Sequence, residues 1–337
     1  MRAYYIQQHG GPEAMAYSES FPDPTPKAGE VVIRVRASTL NYHDVFTRNG
    51  MPGIKIPLPV IPGLDVAGEI VEVGAGVEGW KRGDRVLVDP MNRVAGGLIG
   101  ETTHGGLAEF CAVPEHQLIA LPDDVSFDAA AVLPTAYGTA LRMMVTNGRV
   151  ESGEKVLVLG ASGGVGVCCV QLAKLAGAEV IACAGSDEKA AKLQAIGADR
   201  TINYNEKDFV TEVHAMYGKP NRRGANIGKG VDVVVNFTGG DTWVKSLKVL
   251  RVGGRVLVCG ATAGFAPVED LRYIWAFELN IKGSNGYRRE DILALVGLVQ
   301  QRRLEVVIDE RFSLKDAGQA FARIENRQVM GKVVINP

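Results

Sequence analysis

The chain has 337 residues, a formal charge of -1, and 46% hydrophobic against 22% charged residues. Its length is long for one core and comfortable for two domains, its composition excludes a disordered chain, and its charge gives no general attraction to nucleic acid or anionic lipid. The N-terminal MRAYYIQQHG lacks an apolar signal-like core and no apolar stretch reaches bilayer length, so a soluble, cytoplasmic protein is expected.

Residues 1 to 127 read as strand-rich. Alternating or apolar runs at 31–37, 66–73, 86–88 and 107–113 are separated by turn signals at Ile61-Pro62-Gly63, Gly74, Gly83-Asp84-Arg85 and a glycine-rich segment at 96–106. Short strands at this spacing predict a barrel-like antiparallel module. After Pro122 the pattern turns helical, with one helix beginning at 127–131 and another continuing through 133–141.

From Lys155 onward, strands and helices alternate. Candidate strands at 156–159, 180–184, 200–203, 231–237, 255–259 and 279–283 predict a doubly wound parallel sheet. The first strand runs into Ala161-Ser162-Gly163-Gly164-Val165-Gly166, an A-x-G-x-x-G turn that opens an apolar helix ended by Gly177. Small residues let the backbone approach a pyrophosphate, and the helix start supplies N–H groups and a favourable dipole. The basic stretch at 218–230 interrupts the alternation and reads as a surface loop, or as a flap near a bound phosphate. Beyond it, a helix at 292–301, a helix at 316–326 and a strand at 332–335 form a tail expected to return to the first domain. The five cysteines, Cys111, Cys168, Cys169, Cys183 and Cys259, are odd in number and lie mostly in apolar segments, which reads as buried reduced thiols.

The end of the second strand argues for the cofactor. An NAD site usually has an acidic residue there for the ribose hydroxyls. This chain has Gly185-Ser186 instead, with Lys189 in the next turn and Tyr204 after the third strand. A hydroxyl and an ammonium suit a 2'-phosphate, so NADPH is expected.

The ordered motifs Pro62-Gly63-Leu64-Asp65-Val66-Ala67-Gly68, Gly83-Asp84-Arg85-Val86, Pro134-Thr135-Ala136-Tyr137 and the GASGGVG turn resemble the medium-chain dehydrogenase/reductase superfamily over nearly the whole chain. The resemblance implies a GroES-like catalytic domain, a partly open β-barrel at 1–127 and 289–337, with a Rossmann dinucleotide-binding domain at 128–288 between its halves. Zinc-dependent members carry a cysteine where Asn41 stands and a histidine where Leu64 stands, and the close-spaced cysteines of their structural zinc lobe have no counterpart between Arg85 and Cys111. His43, Asp44, Asp65 and His104 lie nearby without a metal-binding spacing, so no metal is expected. The chain is therefore most similar to the zinc-free, quinone oxidoreductase-like branch.

By matching, Asn41 and Thr135 stand near the nicotinamide, and Ser162, Gly163, Gly164 and Val165 at the pyrophosphate. Ser186, Lys189 and Tyr204 take the 2'-phosphate end. Phe237, Thr238, Gly239, Gly260, Ala261, Thr262 and Asn285 line the rest of the cleft, with Lys332 reaching it from the tail. Asn41, Tyr42 and His43 are the catalytic candidates; His43 reads either as a proton donor or as a histidine bonded to a loop carbonyl, and Asp44 as a loop anchor. Relatives place a tyrosine after the Arg-x-Gly matching Arg48-Asn49-Gly50, whereas this chain has Met51-Pro52. Tyr273, Trp275 and Phe277 line a substrate cleft or pack a subunit contact.

The expected reaction is NADPH-dependent hydride transfer to a quinone or an activated double bond, with a small molecule as the only principal partner. Two other classes stay open, a zinc-free NADP-dependent alcohol or ketone dehydrogenase and a nucleotide-binding protein with little turnover. The strand at 279–283, an open edge, predicts a homodimer.

Overall fold

The apolar run after Glu154 becomes the strand Lys155–Val158 in a computed structural model that describes residues 1–223 and 228–337. Val156, Leu157 and Val158 are fully buried, as a parallel strand covered on both faces requires. Two units emerge from the chain: Met1–Ala136 with Ile292–Gln301 and Val306–Pro337, and Tyr137–Asp291 with Arg302–Glu305.

In the second unit six parallel strands lie in the order Arg200–Asn203, Glu179–Ala184, Lys155–Val158, Val231–Val235, Leu250–Val258, Asn280–Gly283. Chain direction across the sheet reverses between Lys155–Val158 and Val231–Val235, the switch point where such sheets open a crevice beyond their strand ends. The helix Gly164–Leu175 follows the first strand; Val167, Cys168, Cys169, Val170 and Ala173 make it apolar nearly all round, and it is buried accordingly. Gly177, in the left-handed region at φ +84°, stops it. The doubly wound expectation is met.

In the first unit Glu30–Thr39 is the long central strand. It pairs antiparallel with Asp65–Val73 on one side, and with Phe110–Pro114 and Lys332–Asn336 on the other. Register shifts between Val32 and Ile33, and between Val35 and Ala37, bend it as barrel curvature demands. Arg85–Val88, Leu118–Ala120 and Ile308–Ser313 complete the seven-stranded sheet, whose apolar side chains include Ile33, Val66, Ile70 and Val86. The C-terminal strands Ile308–Ser313 and Lys332–Asn336 thus lie in this sheet. Among the described residues no helix is long and apolar enough to cross a membrane, and all five cysteines are free thiols, four of them buried.

Candidate active site

One end of the first unit's sheet gathers residues that are far apart in sequence around the carboxylate of Asp65. Asp65 pairs in register with Thr39. Its Oδ2 accepts from Thr39 Oγ1 at 2.8 Å and Asn41 Nδ2 at 2.8 Å, and lies 3.4 Å from Lys332 Nζ. Its Oδ1 accepts from Thr135 twice, from the backbone N–H at 3.0 Å and from Oγ1 at 2.6 Å. Pro134 explains how Thr135 becomes available. It sits in a π-helical turn, Leu133–Tyr137, that interrupts regular α-helical bonding beside the proline and leaves the next N–H free to turn to Asp65.

Lys332 is buried, and its ammonium also donates to Leu40 O at 2.7 Å and Asn41 Oδ1 at 2.6 Å. Its three protons are thereby engaged inside the unit, and they dictate which way the Asn41 amide faces: oxygen to Lys332, nitrogen to Asp65. Burial pulls the Lys332 pKa below its ordinary value, against the opposing pull of Asp65 and Asp44. Neither Asn41 nor the buried Leu64 offers a thiolate or an imidazole, and among the described residues no three His, Cys, Asp or Glu side chains stand together as a metal site. This donor set does not fit zinc.

Next to this cluster, Asn41 precedes the helix Tyr42–Asn49. Asp44, fully buried, accepts from Asn41 N–H at 2.7 Å and Gly63 N–H at 2.8 Å, so it is an anchor. Gly63 has φ +93°, and a Cβ there would stand 2.8 Å from Ser38 Oγ. Burial raises the Asp44 pKa to about 6, against those two backbone bonds. His43, a third exposed, meets no carbonyl among the described residues; its Nε2 lies 2.6 Å from Glu101 Oε2. Sequence reasoning missed Glu101, whose only local signal is a lone acid within glycines. His104 accepts from Ile61 N–H through Nδ1, and burial lowers its pKa, as suits a histidine that holds the loop backbone.

The second unit assembles the dinucleotide candidates. Gly163 caps the Gly164–Leu175 helix and brings no side chain to its first N–H groups. A Cβ on Gly166 would sit 2.5 Å from Gly160 O, whereas one on Gly163 would meet nothing closer than 3.6 Å. The turn is therefore closed behind and open in front, a cradle that fits a pyrophosphate. Phe237 and Thr238 border Gly160, and the 260–264 turn is tied to them by Thr262 N–H to Phe237 O and Ala263 N–H to Thr238 O, at 3.2 and 2.7 Å. Asn236, a buried residue that the sequence did not single out, shapes this turn by accepting from the N–H groups of Thr238 and Gly239.

At the second strand's end Ser186 Oγ accepts from Lys189 N–H at 3.2 Å, capping Asp187–Ala195. Asp187, two residues beyond Gly185, is held by Asn203 Nδ2 at 3.0 Å. Tyr204 is half exposed over Gly185, and Asn285 is exposed beyond the last strand. Tyr273 and Phe277 pack partly against the core while Trp275 is 66% exposed. Of the basic stretch 218–230, residues 224–227 lie outside the described residues; Gly230 N–H donates to Tyr217 O across its base.

Residues 27–123 match the family model described as alcohol dehydrogenase GroES-like domain, and residues 164–301 the one described as zinc-binding dehydrogenase. The chain is 32% identical to the quinone oxidoreductase of Rattus norvegicus over 99% of its length and 97% of the relative's. It is 30% identical to the crotonyl-CoA reductase of Streptomyces avermitilis, over 96% and 82%. A solved structure described as an NAD-dependent alcohol dehydrogenase superposes with TM-score 0.90 at 34% identity, covering 100% of both chains.

Proposed function

The chain belongs to the medium-chain dehydrogenase/reductase superfamily, quinone oxidoreductase-like, and so is an oxidoreductase using a nicotinamide cofactor on a small molecule; from that premise we propose that it reduces quinones or activated double bonds with NADPH and without zinc. The observation that supports this reading is the Asp65 cluster, where Asn41, which by resemblance stands at the cysteine position of zinc-dependent members, is bonded through its carboxamide to Lys332 and Asp65. Reducing an isolated ketone without a metal calls for another strong electrophile. Conjugated acceptors ask for less, because the enolate or hydroquinone anion they form can be held by hydrogen bonds. The relatives described as quinone oxidoreductase and crotonyl-CoA reductase support the same substrate class.

When bound, NADPH supplies the hydride. Thr135, its hydroxyl proton committed to Asp65, offers lone pairs that suit an amide N–H such as that of the nicotinamide carboxamide. Asn41, oriented by Lys332 and Asp65, keeps one amide proton for a ligand oxygen. Lys332 acts through Asn41, since its protons are engaged. Tyr42 and His43 are the proton donors of this reading, and Ser186, Lys189 and Tyr204 support a preference for the 2'-phosphate. The protein is proposed to work in the cytoplasm as a homodimer paired along Asn280–Gly283, an edge strand on which Ile281 is 43% exposed. A solution mass near one 36.0 kDa chain would refute the dimer.

The test is loss of NADPH absorbance against quinones, enones, 2-alkenals and enoyl thioesters, with NADH and chelator controls. Selective, chelator-insensitive oxidation is expected. The likeness to a structure described as an alcohol dehydrogenase favours a second reading, which NADP-linked oxidation of simple alcohols would select. NADPH binding with no turnover of any acceptor would instead indicate a nucleotide-binding protein.

A further inference from the structure

The glycine-rich segment at 96–106 has no part in the reading above, yet it is built to close tolerances. Thr102 Oγ1 accepts from Leu98 N–H at 2.8 Å and donates to Leu98 O at 3.0 Å, and Gly100 N–H donates to Thr103 O at 2.9 Å. Gly100 has φ +78°, and a Cβ there would stand 3.1 Å from the backbone of Gly63. Gly105 and Gly106 donate to Ile61 O and Gly63 O at 2.7 and 2.8 Å. The turn is docked on the same 61–63 backbone that Asp44 grips. What it delivers is the carboxylate of Glu101, 8% exposed and 2.6 Å from His43 Nε2.

We infer that Glu101 is a positioning residue for the reduction: its carboxylate fixes His43 with Nε2–H toward the turn, leaving Nδ1–H as the proton for the anion that hydride addition creates. The inference rests on the reductase reading. Hydride from NADPH forms the new C–H bond at the β-carbon of an enone, or reduces a quinone. The negative charge left on the enolate or hydroquinone oxygen is then discharged as the Nδ1–H bond breaks and a C–H or O–H bond forms. Imidazole is left neutral and regains its proton from water.

The geometry suits this division of labour. Glu101 is buried in a hydrogen-bonded turn, while the ring of His43 is a third exposed and Nδ1 makes no hydrogen bond to protein among the described residues. Two carboxylates act on the ring, Glu101 by direct contact from the turn and Asp44 by its charge from the same helix, and Asp65 and Lys332 interact with Asp44 in turn. Burial lowers the His43 pKa, but the Glu101 bond and the two negative charges outweigh it and leave it raised.

Glu101→Gln keeps the shape and removes the charge. Two readouts are compared with wild type in the full-length protein: the titration of the His43 ring resonances by NMR, assigned with His43→Asn, and the pH profile of kcat/KM for enone reduction by NADPH. The expected result is that the His43 midpoint and the basic limb of the profile fall together, by about one pH unit. Should the amide variant fail to fold, Glu101→Asp serves the same comparison, because its shorter stem breaks the 2.6 Å contact and both readouts should again fall. An unmoved His43 midpoint, or a midpoint that moves while the basic limb does not, overturns the inference. A wild-type protein that turns over no acceptor brings down the reductase reading instead, and the NMR titration still shows whether Glu101 governs His43.

Discussion

Asp65 holds Thr135 by two hydrogen bonds, from its N–H at 3.0 Å and its hydroxyl at 2.6 Å, across 70 residues of sequence. The same carboxylate faces Lys332, so a buried ion pair and the Thr135 hydroxyl share one group. Asp65→Asn removes the counter-charge of a buried ammonium and should cost about 3–5 kcal/mol in urea unfolding. Adding Lys332→Met should recover part of that loss, with a coupling energy above about 1 kcal/mol. Additive effects would show that the two do not act as a pair.

Gly163 and Gly166 should separate folding from binding. Gly166→Val drives a side chain into Gly160 O and Ala161, 2.5 and 2.6 Å from its Cβ, and should lower the melting temperature. Gly163→Val has room within the fold, its Cβ meeting nothing closer than 3.6 Å, but crowds the open side of the cradle. It should leave the melting temperature nearly unchanged while weakening dinucleotide binding roughly tenfold or more, as calorimetric titration would read.

Lys189→Ala tests the phosphate preference. Losing a charge-assisted contact should weaken NADPH binding roughly tenfold and leave NADH binding little changed. Equal losses for both would place Lys189 away from the 2'-phosphate.

How much of this was legible beforehand follows from what each residue depends on. The parallel strands could be read because strands buried on both faces are continuous apolar runs; Val156 to Val158 and Val233 to Val235 are all fully buried. The strand expected at 255–259 is Leu250–Val258; it runs through Gly253-Gly254 with a register shift between Val231 and Val233 of the neighbour. The Asp65 cluster was harder. Asn41, Thr135 and Lys332 were picked out singly, by resemblance, and Thr39 was not; the bonds that join all four to Asp65 are tertiary and leave no periodic trace. Glu101 had only the weak signal of a lone acid among glycines, since a turn's docking depends on contacts that its own sequence does not contain.

Asp44 predicts a pH dependence of stability. Its folded value of about 6 stands above the ordinary 3.8, so between those limits the folded state keeps a proton that the unfolded state releases. Stability from this group is therefore fully present below pH 3.8 and lost as pH rises through about 6, an effect of at most about 3 kcal/mol. His43, also raised, acts in the same sense across its own higher interval. Urea unfolding of wild type relative to Asp44→Asn should show the difference shrinking from pH 4 to pH 7; a difference that grows would contradict the burial-driven shift.

The central claim is that hydride goes to an activated double bond without a metal. The direct measurement uses NADPH deuterated at C4 in each of its two stereochemical forms, an enone acceptor, and protein freed of metal by chelation with its metal content verified. With one of the two forms, the account predicts undiminished turnover and deuterium on the β-carbon of a saturated ketone. Deuterium on the carbonyl carbon of an alcohol, or turnover that disappears on metal removal and returns with zinc, would contradict it.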